Sequence, residues 1–143
     1  MDCIFCEIAE KSSEAEIVFE NEKFIAFLDI NPINYGHTLV IPKTHHDNFL
    51  TIPADELIEL TKLTQYLAGV VKRALKADGF NIISNNGNSA GQSVFHFHYH
   101  IIPRYENDFQ LQPRTIQYLD SDLKSFGDKI RQSVTKYVGL LNG

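Results

Sequence analysis

The chain has no excess of positive charge. Its 143 residues carry 13 Lys and Arg against 18 Asp and Glu, a net charge of −5. That balance argues against the basic footprint of a nucleic-acid-binding surface. No apolar run approaches the roughly 20 residues needed to span a bilayer. The opening residues, Met1-Asp2-Cys3-Ile4-Phe5-Cys6, lack the basic start and apolar stretch of a signal peptide. Neither nucleic acid nor a membrane is therefore an expected partner, and a cytoplasmic location is expected. Cysteine is scarce, with two residues in all. In a reducing compartment such a pair reads as metal ligands or redox groups rather than a structural disulfide. There is no low-complexity tract and no internal repeat at a period of 20–50 residues. What remains is ordinary, 43% hydrophobic and 22% charged, and long enough for one domain with a real core.

Against this background one stretch stands out. His96, His98 and His100, three of the six histidines, recur at every second position in His96-Phe97-His98-Tyr99-His100-Ile101-Ile102. On an extended strand, residues two apart share a face. The spacing predicts a strand with three imidazoles in one row and Phe97, Tyr99 and Ile101 turned to the core. Isolated histidines sit on solvated strands without chemistry, but three adjacent titratable rings disfavour one another unless the site uses them. Just upstream, Asn85-Asn86-Gly87-Asn88-Ser89-Ala90-Gly91-Gln92-Ser93 is dense in small and amide residues and exceeds a tight hairpin's length. Its glycines allow close backbone approach to a ligand, as a binding loop requires. No Asp or Glu lies in this loop or among the three histidines, so acid–base work there falls to histidine.

Cys3 and Cys6 form a C-x-x-C with three readings: a redox pair, two inert thiols, or half of a metal site awaiting two further ligands. The redox reading ranks low, because no strand precedes Cys3. Further along, Ile17-Val18-Phe19 and Phe24–Leu28 read as strands around a polar turn. Asp29 ends the second strand and is either a site acid or a turn cap. His37–Pro42 reads as a third strand, and Phe80–Ser84 as a fourth. Between them, residues 53–77 form the clearest helix, with Leu57, Leu60, Leu63, Leu67, Val70, Val71 and Leu75 on one face and Asp78-Gly79 as its stop. A last helix is expected near 121–140, with Ser121 as N-cap and a stripe of Leu123, Phe126, Ile130, Val134, Tyr137 and Leu141.

The row of histidines resembles the His-φ-His-φ-His-φ-φ signature of the histidine triad (HIT) superfamily. Phe27-Leu28-Asp29, Gly36-His37-Thr38-Leu39-Val40-Ile41-Pro42-Lys43, Asn85-Asn86-Gly87, Gly91-Gln92-Ser93-Val94 and Ile102-Pro103-Arg104-Tyr105 resemble further family blocks in the same order, the last as in its bacterial branch. The resemblance covers residues 3–105. The chain thus reads as a single domain over 1–143, a motif-bearing core followed by an extension at 106–143.

The resemblance implies an α+β fold: a five-stranded antiparallel sheet with one long central helix and a C-terminal helix, in a homodimer that joins its sheets. It implies hydrolysis at the α-phosphorus of nucleoside phosphoramidates or dinucleoside polyphosphates, with a purine nucleotide such as AMP as ligand. His98 matches the nucleophile that forms a nucleotidyl-histidine intermediate, and His100 a hydrogen-bond donor to phosphate. His37 matches the histidine behind it. Gln92 and Ser93 would line the phosphate and leaving-group region, with Ser93 assisting the leaving group. Asn85 resembles a phosphate-side amide in the Gly91-bearing loop, and Asp29 would accept from ribose hydroxyls. In zinc-bearing branches the C-x-x-C is completed by the histidine of a Lys-x-His block and the first triad histidine. That implies one structural Zn²⁺ per chain on Cys3, Cys6, His45 and His96, with His46 the rival to His45, and no catalytic metal. Three other classes compete with this one. A nucleotide-binding interaction protein with little turnover shares every binding residue. A zinc-dependent nucleic-acid binder is opposed by the charge, and a nucleotidyl transferase usually has a longer chain.

Overall fold

The computed structural model describes residues 2–108 and 114–134. The chain divides into two compact units, 1–108 and 109–143.

The first unit is built on an antiparallel sheet of five strands, β1 (Ile17–Glu20), β2 (Phe24–Leu28), β3 (Thr38–Pro42), β4 (Gly79–Ile83) and β5 (Tyr99–Arg104), in the order β1-β2-β3-β5-β4. A short helix, α1 (Ile4–Ala9), precedes β1, and a long one, α2 (Ala54–Ala74), joins β3 to β4. The central strands β2 and β3 are almost continuously buried, because both sheet faces are covered. On one face Phe24, Ala26, Val40, Phe97 and Ile101 pack with Leu60, Leu67 and Ala68 of α2. On the other, Ile25, Phe27, Leu39 and Ile41 pack with Cys3, Phe5 and Ile8 at α1. The leucine stripe of α2 is scaffold, as its spacing predicts.

Two local features differ from expectation. The helix does not stop at Gly79, which opens β4. It ends through Lys76 in the left-handed region at φ 54°. The strand carrying the histidines also starts late. Its ladder with β3 runs only from Tyr99 to Ile101, and with β4 only from His100 to Arg104. Upstream, β3 has reached Pro42, which has no N–H to donate, and the chain before His96 belongs to the loop. Phe97 N–H donates instead to the His46 carbonyl at 2.6 Å. The backbone of 96–98 nevertheless alternates, with Phe97 in the α2-side core and His96 and His98 against Phe5 of α1.

In the second unit, α3 spans Asp122–Val134. Tyr118 packs on Phe126, and Lys129 lies 5.2 Å from the Phe126 ring centre. Leu123, Phe126, Ile130 and Val134 are at least half exposed. Tyr137 and Leu141 of the expected stripe lie outside the described residues. Among the described residues, no helix is long and apolar enough to cross a membrane.

Candidate functional site

A cavity of about 280 Å³ opens on the α1 side of the sheet. Ile4, Phe5 and Ile8 of α1 wall it on one side. Phe27, Leu39 and Val94 supply more apolar surface, and Glu14, Asp29, Asn31, Ser93, His98 and His100 supply its polar groups. An apolar pocket with a few convergent polar groups is the usual form of a small-molecule site.

The hydrogen bonds around the histidines assign their protons. A carbonyl only accepts, so a ring nitrogen facing one carries hydrogen. His98 Nδ1 lies 2.7 Å from the His96 carbonyl and is therefore the N–H. Its Nε2 is left as a bare lone pair. His98 is 6% exposed, and burial, the largest influence, lowers its pKa below the ordinary histidine range. It is neutral at pH 7, as a nucleophile must be. His37 is set the other way round. The Ile33 N–H donates to His37 Nδ1 at 3.1 Å, so the proton of a neutral His37 sits on Nε2. That nitrogen lies 2.8 Å from His100 Nδ1 and 3.7 Å from Asp29 Oδ2. His100 Nδ1 then accepts, and its own proton sits on Nε2. Burial, then the neighbouring His98 and His37, hold His100 neutral, its pKa pushed down to about 4. His100 Nε2 is buried and has no hydrogen-bond partner among the described residues. An unsatisfied buried donor calls for an acceptor from a ligand.

A second cluster adjoins the first. Ligand atoms of Cys3, Cys6, His45 and His96 all lie within 4.8 Å of one another. Cys3 Sγ and Cys6 Sγ are each 3.5 Å from His96 Nδ1, and Cys6 Sγ is 3.3 Å from His45 Nδ1. Tetrahedral coordination with metal–S near 2.3 Å and metal–N near 2.0–2.1 Å puts sulfur and nitrogen about 3.5 Å apart, so the spacing fits a four-coordinate metal ion. The tautomers fit too. His96 Nε2–H donates to the Pro42 carbonyl at 2.7 Å, and His45 Nε2–H to Asp47 Oδ1 at 3.0 Å. Both Nδ1 lone pairs face the cluster, oriented by the outer partners typical of metal-bound histidine. Burial and the adjacent Cys3 thiol push Cys6 up to about 11, a resistance to ionisation that a bound cation reverses. The rivalry between neighbours is resolved, since His46 Nε2 pairs with Glu56 Oε2 at 2.8 Å instead. Cys3 also caps α1, its sulfur accepting the Cys6 N–H at 3.3 Å.

The other expected residues divide. Asp29 and Ser93 line the cavity. Asp29 Oδ1 also accepts the Asn31 N–H at 2.9 Å, so it caps its turn while facing the pocket. Gly91 is in the left-handed region at φ 88°, and a Cβ there would lie 3.9 Å from Asn85 Nδ2. Gly91 and Asn85 belong to the loop frame rather than the cavity wall described above. Gln92, expected to line the phosphate and leaving-group region, is not among the residues that line the cavity. It is 2% exposed, and its N–H groups are spent inside the protein. The side-chain amide donates to the Asp47 and Val94 carbonyls, and the backbone N–H to Gly87 O. Its Oε1 accepts the Gly87 N–H. Gln92 thus ties the binding loop to the chain beside the metal cluster. Sequence reasoning missed α1 as a wall. The signal was Ile4, Phe5 and Ile8 at helical spacing behind a capping Cys3.

Residues 10–107 match the HIT domain, and the chain belongs to the HIT family. An uncharacterized HIT-like protein of Methanocaldococcus jannaschii is 52% identical over 106 residues, 74% of this chain and 81% of that protein. An adenylylsulfatase of Arabidopsis thaliana is 36% identical over 107 residues, 75% of this chain and 54% of that protein. The crystal structure of a Zn-bound histidine triad family protein from Mycobacterium smegmatis is 35% identical. It superposes with a TM-score of 0.74 over 98% of each chain.

Proposed function

We propose that the protein is a nucleotide hydrolase acting at the α-phosphorus of nucleoside phosphoramidates or dinucleoside polyphosphates. The carrying observation is the bond from His98 Nδ1–H to the His96 carbonyl, which leaves Nε2 bare at the cavity. In the first step that lone pair attacks phosphorus. An N–P bond forms, and the bond from phosphorus to the leaving nitrogen or oxygen breaks, its electron pair departing with the leaving group. Ser93, an exposed residue of the cavity lining, relays a proton from water to the leaving group. His100 Nε2–H donates to a phosphoryl oxygen. Water then attacks phosphorus, keeping one proton on the new P–OH and releasing the other to solvent, while the N–P bond breaks with its electron pair returning to His98 Nε2 and the nucleoside monophosphate leaves. Asp29 accepts from the ribose hydroxyls, and the apolar walls take a purine base. The adenylylsulfatase relative, whose name describes an adenylyl group joined to a sulfate leaving group, supports the reaction class.

The four-ligand cluster would hold zinc. With every position filled by protein, a Cys₂His₂ site has no open coordination for substrate and is structural. The Zn-bound relative supports that identity. Half-exposed Phe80 and Ile82 on the edge strand β4 support a homodimer, which sedimentation tests. Cysteines kept as ligands suit a cytoplasmic location.

The test is release of AMP from an adenosine phosphoramidate by purified protein. His98→Ala should lose about 10³-fold or more in turnover. A variant as active as wild type would overturn the assignment of the nucleophile.

A further inference from the structure

His37 and His100 can share their proton in two ways. In one, His37 Nε2–H donates to His100 Nδ1 and leaves the His100 proton on Nε2, the ring nitrogen without a partner among the described residues. In the other, His100 Nδ1–H donates to His37 Nε2, and Nε2 of His100 becomes a lone pair. Only the first offers a donor to a phosphoryl oxygen; the second sets a lone pair against it. The choice is made by the Ile33 N–H on His37 Nδ1, a backbone group in the segment between β2 and β3. What holds that amide in place decides the polarity of the site.

Asn34, the next residue, is the tie. Its side-chain amide donates to the Pro103 carbonyl of β5 at 2.9 Å and to Asp108 Oδ2 at 3.0 Å. Asp108 is itself immobilised. Its carboxylate receives Arg104 Nε at 3.1 Å, Arg104 Nη2 at 2.7 Å and the Tyr105 N–H at 2.9 Å. Arg104 reaches on to Asn81 Oδ1 of β4 at 2.9 Å. Asn34 also closes the segment on its other side, its carbonyl accepting the His37 N–H at 3.0 Å. The 31–36 segment is thus bolted to the rigid β4–β5 frame through one side chain. That side chain must be an amide, because both of its partners are acceptors. An Asp of the same shape would place a carboxylate against a carbonyl and a second carboxylate.

We propose that Asn34, braced by Asp108, is a positioning residue of the histidine site: it seats Ile33 so that its N–H selects the His37 tautomer that leaves the His100 proton on Nε2. The catalytic consequence rests on the proposed hydrolase function; the tautomer consequence does not.

The test compares wild type with Asn34→Asp and Asn34→Ala. Histidine side-chain ¹⁵N correlation spectra of each purified protein assign the tautomers at pH 7. Wild type should show Nε2–H at His37 and His100, and Nδ1–H at His98. Both variants should lose the single Nε2–H form at His37 and His100 while His98 keeps its pattern, since its bond goes to His96. On an adenosine phosphoramidate, kcat should fall about tenfold with KM little changed, the scale of one or two lost hydrogen bonds. Should Asn34→Asp fail to fold, Asn34→Ala, which adds no charge, carries the comparison. Unchanged His37 and His100 spectra in a folded variant overturn the proposal. Absence of turnover in wild type would instead overturn the hydrolase reading and leave the tautomer result standing.

Discussion

Gly36 gives the sharpest test of how the β2–β3 connection delivers His37. Its φ is +92°, a region that an L side chain enters at about 1–2 kcal/mol. A Cβ built there would lie 2.2 Å from Leu75 Cδ1, far inside contact, and an unstrained 3.7 Å from Pro103 Cγ. Leu75 is 41% exposed at the end of α2, so its side chain can swing aside at roughly 0.5–1.5 kcal/mol of rotamer cost. Together, Gly36→Ala should destabilise the fold by about 2–3 kcal/mol, close to 5–10 °C in Tm for a chain of this length. Urea and thermal unfolding read this directly. Leu75→Ala separates the two causes, because the double variant should recover the steric share of about 0.5–1.5 kcal/mol but not the backbone share. A Gly36→Ala protein within about 0.5 kcal/mol of wild type would refute both the conformational demand and the close approach.

Gln92→Ala should cost about 1–3 kcal/mol, since it removes the partner of the Gly87 N–H and of the Asp47 and Val94 carbonyls in a part-buried setting; a urea midpoint equal to wild type would contradict its role as a tie. Cys3→Ser with Cys6→Ser should abolish a stoichiometry of about one zinc per chain in metal analysis of unchelated protein, and a metal-free wild type would sink the site. His100 has a folded pKa of about 4 against 6.5 when unfolded, so the unfolded chain binds the extra proton between those values. Its contribution to stability is therefore full above pH 6.5 and declines as pH falls toward 4, by up to about 1.4 kcal/mol per pH unit. Subtracting the profile of metal-loaded His100→Gln should isolate that slope, and parallel profiles would show that burial does not hold the ring neutral.

The sequence carried the helical period of α2, the boundaries of β2 and the two-residue rhythm of the histidines, because each is a local pattern. It also kept Cys3, Cys6, His45 and His96 as one ligand set through the family resemblance, and the structure brings their ligand atoms together. What stayed hidden depends on partners distant in the chain. Nothing near Gln92 announces that its amide is consumed by Asp47, 45 residues away. His45 and His46 are indistinguishable by position until Glu56 of α2 claims one of them. The late start of β5 follows from where β3 meets Pro42, a matter of register rather than propensity. The α1 wall was obscured because its six residues include a cysteine pair that reads first as chemistry.

The His98 and His100 rings have centroids 4.8 Å apart and face one cavity with opposite polarity. One ends in a lone pair wired from the His96 carbonyl, the other in an N–H wired from the Ile33 amide. Such a pair behaves as adjacent poles, one seeking an electron-poor centre and the other an electron-rich atom bonded to it. The backbone therefore sets the polarity of the site, because it distributes two protons among four ring nitrogens.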